Sequence, residues 1–208
     1  TFRGAEAYVS LQGGGRCDLG KLTAAYRSHL REMGLLHEKS FDFGAIDPAA
    51  PPCPIVFCEG AKGTANPWFG TEVPFRLAKG EVLIVHLPDY PLKEAIVKNE
   101  LFLVPLGNDQ YWVGSNYEQR FAHDRPTEER RAAMEAILRQ TLRVPFTVVD
   151  HRSALRPTTA NRRPYWGQHA KYPDLYVLNG LGTKGATLGP YFAHELAQMI
   201  SQQIKSPS

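Results

Sequence analysis

The sequence predicts an α+β fold: a mixed, largely antiparallel sheet with flanking helices. Three observations carry this expectation. Apolar runs of strand length follow one another at hairpin spacing between residues 79 and 115, with turn residues between them. Three stretches with helical periodicity are scattered along the chain and do not alternate with strands, which argues against a repeating βα order. The 208 residues, 43% hydrophobic and 22% charged, have an ordinary globular composition and suffice for one domain, or one and a half, with a buried core.

Taken in order, residues 6–11 read as a short strand, followed by Gly13-Gly14-Gly15. Asp18 is placed to cap a helix from residue 19 to about 33, with Leu22, Tyr26, Leu30 and Met33 on one face. The triple glycine reads as a turn, because no phosphate-loop lysine follows it. Residues 37–43 read as a strand. Residues 54–58 (PIVFC) form a wholly apolar run, expected as a strand buried on both faces. Strands are expected at 79–86, 94–98, 100–105 and 110–115, joined by turns at Asn99 and at Gly107-Asn108-Asp109, as an antiparallel meander. Thr127 caps a second helix with Met134, Ile137, Leu138 and Leu142 along one stripe, stopped by Pro145. Residues 146–153 read as a strand. The chain then closes with a strand at 175–178, a glycine-rich turn at 179–185 and a helix to about residue 204, with Leu188, Phe192, Leu196, Met199 and Ile200 on one face and a fraying tail from 202.

Several function classes fall away. There is no 18-residue apolar run, so no membrane-spanning helix is expected. The opening residues lack a basic start and an apolar core, so no signal peptide is expected, and the chain does not begin with Met, which suits part of a longer protein. Three cysteines, Cys17, Cys53 and Cys58, cannot all pair with one another and have no zinc spacing, which suits free thiols in a reducing, cytoplasmic setting. The seven histidines form no H-x-x-x-H or H-E-x-x-H, so no metal site is expected. The G-x-S-x-G elbow of α/β-hydrolases is absent.

Two stretches can carry chemistry. The turn at 179–185, between a strand and a helix, aims free N–H groups and a helix dipole at an electron-rich or anionic guest. Upstream, Arg156 stands at a strand end before Pro157. A guanidinium fixed there can take a carboxylate through two parallel hydrogen bonds, or can pair with a local carboxylate for purely structural ends. Tyr117 and Glu118, after another strand end, can contact a polar substrate or simply pack. Residues 120–163 hold ten arginines, readable as a solvated surface or as an anion-handling face that could include RNA, with Tyr165-Trp166 available for stacking.

These segments in this order resemble the D-amino acid oxidase and glycine oxidase superfamily of FAD-dependent oxidoreductases. The resemblance rests on Ala154-Leu155-Arg156-Pro157-Thr158, then Arg163-Pro164-Tyr165-Trp166-Gly167, then the run NGLGTKGATLGP from Asn179 to Pro190. Further upstream it rests on residues 55–60, 75–81 (FRLAKGE), Leu103-Val104-Pro105 and 113–118 (VGSNYE). It covers roughly residues 54–204. It implies a substrate-binding domain of that family with remnants of its FAD domain: partial FAD-domain elements at 1–60, a substrate-binding sheet and helix at 61–160, and a return to the FAD domain at 161–208.

The resemblance implies FAD as cofactor, with Gly180, Gly182, Thr183, Lys184, Gly185 and Ala186 as contacts to the flavin. It implies a small amine or amino-acid substrate, with Arg156 on its carboxylate and Tyr117 near the pocket. No catalytic side chain is required, because the flavin accepts the hydride. The N-terminal strand–GxGxxG–helix that holds the FAD pyrophosphate in this family is not found. A missing N-terminal Rossmann segment is therefore expected, and the chain alone should be inactive. Two alternatives are an RNA-contacting domain of a flavin-dependent tRNA-modifying relative, although nucleic acid is not the partner expected first, and a flavin-free binding domain.

Overall fold

The computed structural model describes residues 9–205. Three α-helices and eight strands are distributed over two units. One unit comprises Ala78–Arg156 together with residues 9–15; the other comprises Arg16–Leu77 and residues 157–205.

The first unit is a five-stranded antiparallel sheet. Its strands are β2 (Ala78–His86), β3 (Val97–Lys98), β4 (Phe102–Gly107), β5 (Gln110–Gly114) and β6 (Thr147–Arg156), after β1 (Ile55–Phe57) of the other unit. The order across the sheet is β3-β4-β5-β2-β6. This corrects the expected simple meander: β2 does not pair with β3 but sits centrally between β5 and β6. β2 is buried at seven of its nine positions and carries the apolar run Val82-Leu83-Ile84-Val85 that suits a central strand. The β4–β5 hairpin turns through Asn108 and Asp109, both at positive φ, the conformation a two-residue turn of the right hand demands. The expected strand at 94–98 shrinks to two residues, because a turn from Leu92 to Ala95 takes the start of it.

Helix α2 (Glu128–Thr141) lies on one face of this sheet. Met134 and Leu138, with Leu142 just beyond the helix, pack on Leu83, Val85, Leu103, Tyr111 and Val113. Alternation along β2 therefore directs Lys79, Glu81, Leu83 and Val85 towards α2, and Ala78, Gly80 and Val82 to the opposite face.

The second unit holds a three-stranded sheet in the order β1-β8-β7, with β7 (Tyr165–Gln168), β8 (Leu175–Asn179), α1 (Leu19–Glu32) and α3 (Gly185–Lys205). β1 runs parallel to β8, and β7 antiparallel to it. The core gathers Phe57, Phe69, Val73, Leu175 and Val177, with Phe43, Trp68 and Tyr165 against it. β7 was not anticipated.

Other expectations are corrected in this unit. β1 is an edge strand with Val56 exposed and only Phe57 buried, so its apolar sequence does not mean burial on both faces. Residues 37–43 form no strand; the Asp42 carboxylate accepts from Gly44 N–H and winds Phe43–Ala45 into a short helical turn. Helix α1 forms where expected, with the Asp18 side chain accepting from Lys21 N–H, yet none of its residues is buried. The C-terminal helix continues through the expected fraying tail to Lys205, where Gln203 meets Tyr176 and Gln168. Most of the strand expected at 6–11 lies outside the described residues, and its last residues, 9–11, are irregular. Among the described residues no helix is long and apolar enough to cross a membrane.

Candidate functional site

Arg156 is the last residue of β6, paired in register with Ala78, rather than a residue beyond the strand end. Its side chain lies on the sheet face away from α2 and crosses β2. Nη2 donates to Ser115 Oγ at 2.5 Å, and Nη1 and Nη2 donate to the Asn116 carbonyl at 3.3 and 3.4 Å. The path is open because residue 80 is glycine: a Cβ there would overlap Nη1, Nη2 and Cζ.

None of the acidic side chains among the described residues forms an ion pair with Arg156. The local structural pairing that the sequence left open is therefore not made. Burial pushes the guanidinium below its ordinary value, and only the nearby Tyr117 opposes that. Arginine nonetheless stays charged at any physiological pH. A half-buried cation held by neutral oxygens has kept its capacity for an anion. Tyr117 is half exposed, with its ring centroid 5.7 Å from Cζ. Its neighbour Glu118 is committed elsewhere, to Arg130 at 3.1 Å.

On the α2 face of the same strand stands a buried polar cluster that sequence reasoning missed. Glu81 Oε1 accepts from Lys79 Nζ at 2.8 Å and from Thr127 Oγ1 at 3.0 Å. Oε2 accepts from Thr127 N–H at 2.8 Å and lies 2.9 Å from His151 Nε2, which is not aligned to donate to it. Glu81 thus supplies the cap that the Thr127 side chain does not make for α2. Its own N–H donates to Asn116 Oδ1 at 2.5 Å, which fixes the residue whose carbonyl holds Arg156. The available signal was two opposite charges flanking a glycine inside an otherwise apolar strand.

The glycine-rich turn belongs to the other unit and is built into it tightly. Gly180 and Gly182 have φ of +73° and +54°, where a side chain costs backbone strain. A Cβ on Gly180 would lie 2.6 Å from Thr159 Cγ2, and one on Gly182 would lie 2.9 Å from Thr158 Cγ2. Asn179 donates through Nδ2 to Gly60 O at 3.0 Å and accepts Gly180 N–H at 2.8 Å. Gly182 N–H donates to Pro157 O at 3.2 Å. Beyond these anchors, a short helical turn (Gly182–Lys184) leads into α3, leaving Thr183, Lys184 and Ala186 exposed at the helix start and Gly185 partly so.

The sequence model of the FAD-dependent oxidoreductases known as DAO matches residues 3–199, nearly the whole chain. The chain belongs to this family.

Solved structures agree on the fold. Iminodiacetate oxidase from Chelativorans sp. aligns with a TM-score of 0.61 at 23% identity, over 74% of this chain and 43% of that one. Glycine oxidase from Bacillus cereus aligns at 0.61 and 21% identity, over 72% and 42%. L-proline dehydrogenase from P. horikoshii aligns at 0.69 and 16% identity, over 90% and 56%. The chain thus spans between two fifths and three fifths of these proteins.

DAO-family membership implies FAD, and the residues present fit one end of it. The free N–H groups expected of the turn are in part spent within the chain, Gly180 on Asn179, Gly182 on Pro157 and Lys184 on Leu181, so what the start of α3 offers the electron-rich carbonyl edge of a flavin is the positive end of a helix dipole and the exposed Lys184. Among the described residues no second strand–glycine turn–helix offers a place for the pyrophosphate; residues 9–15, ahead of α1, are not a strand. The arginines at 120–163 are in part neutralised: Arg130 by Glu118, Arg131 and Arg139 by Glu135, and Arg152 by Asp150. Such pairing weakens the case for an RNA face.

Proposed function

We propose that this chain is the substrate-recognising portion, with part of the flavin site, of an FAD-dependent oxidoreductase that oxidises the C–N bond of an amino acid or amine. Family membership supports the reaction class. The observation that carries the substrate class is Arg156, a half-buried guanidinium without an acidic partner. In this reading it receives the substrate carboxylate, and Tyr117 borders the same place. The names of the structural relatives add support, since iminodiacetate, glycine and L-proline are all amines that bear a carboxylate.

Gly180, Gly182, Thr183, Lys184, Gly185 and Ala186 are the proposed contacts to the flavin, with the helix dipole and the exposed Lys184 steadying its electron-rich edge. A bound FAD would supply the hydride acceptor for the carbon bearing the amine. The chain's own residues orient and balance charge: Arg156 offers the carboxylate its charge and its open Nε–H, and Ser115 and Asn116 fix Arg156. A Rossmann segment for the pyrophosphate is proposed to lie outside this sequence, in keeping with the 43% of iminodiacetate oxidase that the chain spans, so that the chain alone is inactive. The free thiols Cys17, Cys53 and Cys58 support a cytoplasmic setting.

The test is anaerobic mixing of the flavin-loaded full-length gene product with amino acids and with their decarboxylated amines. Bleaching of the flavin band by an amino acid, and far slower bleaching by the matching amine, is the expected result. A gene product that binds no flavin, or one that favours the amine, contradicts the reading.

A further inference from the structure

We infer that Gly80 is a positioning residue for the carboxylate site: it is the gap in β2 that lets Arg156 reach its anchors. This rests on the reading of Arg156 given above. β2 lies between β6, which carries Arg156, and β5, which leads into Ser115 and Asn116. The guanidinium must therefore cross β2 to reach those oxygens. Arg156 pairs with Ala78, so Gly80 is its diagonal neighbour on the same sheet face, and the head group lies against the Gly80 main chain.

The glycine is not there for its backbone. Gly80 is not among the residues at positive φ, so an alanine could adopt its conformation. What alanine lacks is room, since its Cβ would overlap three guanidinium atoms at once. A methyl at position 80 leaves the charge of Arg156 in place and removes its address. Ser115 Oγ and Asn116 O take both Nη2 donors and one of Nη1, while Nε–H donates to none of the described residues, so that one charged donor stays open to a carboxylate oxygen. Gly80 therefore determines whether that donor is presented in one fixed direction.

The experiment labels the full-length gene product with 15N-arginine and follows the Arg156 Nε–H signal, assigned by its loss in Arg156→Met, during titration with acetate against a chloride control. The wild type is expected to shift with acetate and not with chloride. Gly80→Ala should raise the acetate midpoint about tenfold while keeping the remaining arginine signals unchanged, the effect of losing one charge-assisted geometry. Ser115→Ala, which adds no bulk, should raise it by roughly threefold to tenfold and decides the matter if Gly80→Ala does not fold. An unchanged midpoint in Gly80→Ala, or in Ser115→Ala where that variant decides, overturns the inference while Arg156→Met still abolishes the acetate response. Acetate binding that survives in Arg156→Met, read from the backbone signals of Ser115 and Asn116 in a second, uniformly 15N-labelled sample, overturns the reading of Arg156 itself.

Discussion

Lys79 Nζ and Glu81 Oε1 lie 2.8 Å apart with side chains 1% and 0% exposed, two residues from one another on a central strand. Their side chains share the α2 face, and the carboxylate also takes both donors of Thr127. Removing one charge strands the other without water. Glu81→Ala should therefore cost about 3–5 kcal/mol in urea unfolding. Replacing both residues by apolar side chains of similar size should cost much less than the sum of the two single changes.

The same carboxyl predicts a pH dependence. Burial alone would raise the Glu81 pKa, but the Lys79 hydrogen bond, the Thr127 donors and the Lys79 charge together outweigh it and hold the group below its ordinary value. A depressed folded pKa means that the unfolded chain binds the proton first as pH falls. The stabilisation is fully present above the ordinary carboxyl range and is lost as pH drops through the folded value. Melting temperature followed from pH 7 downward should fall less steeply in Glu81→Gln than in the wild type; equal slopes contradict this.

The glycine turn gives a third prediction. Gly180→Ala meets Thr159 Cγ2 and is strained at its positive φ, as Gly182→Ala is against Thr158. Each should destabilise by about 1–3 kcal/mol. Gly34→Ala also sits at positive φ but meets no neighbouring atom, so it carries the backbone cost alone and should lie at the bottom of that range. Urea midpoints of the three variants rank the effects.

Helices α1 and α2 present similar apolar stripes in sequence and different fates in structure. Leu138 is fully buried, whereas Leu22 is 56% exposed. Leu138→Ala should cost about 2–5 kcal/mol, and Leu22→Ala no more than about 0.5 kcal/mol. Equal losses would mean that α1 is covered in solution.

This last contrast marks where the sequence stopped being legible. Periodicity located all three helices, because caps and stripes are local signals, but it could not say what covers a stripe. The Asn108-Asp109 hairpin was legible for the same reason: turn chemistry is written in adjacent residues. Strand order was not, since the placement of β2 between β5 and β6 depends on pairings made across long separations. Arg156 was visible as a candidate from its Pro157 neighbour and the family motif. Its lack of an acidic partner and its passage over Gly80 required coordinates, because both depend on residues 35 or more positions away. The Lys79–Glu81–His151 cluster was overlooked because a charged pair inside an apolar strand looks like a strand end until the helix that needs its carboxylate is in place.

The most direct test of the proposed function is the Arg156→Met substitution in the flavin-loaded full-length gene product, measured as kcat/KM for the preferred amino acid and for its decarboxylated amine. Loss of a charge-assisted hydrogen bond should lower the amino-acid value about 10- to 100-fold, mainly through KM, and leave the amine value nearly unchanged. Equal losses on both substrates, or no loss on either, would contradict a carboxylate held by Arg156.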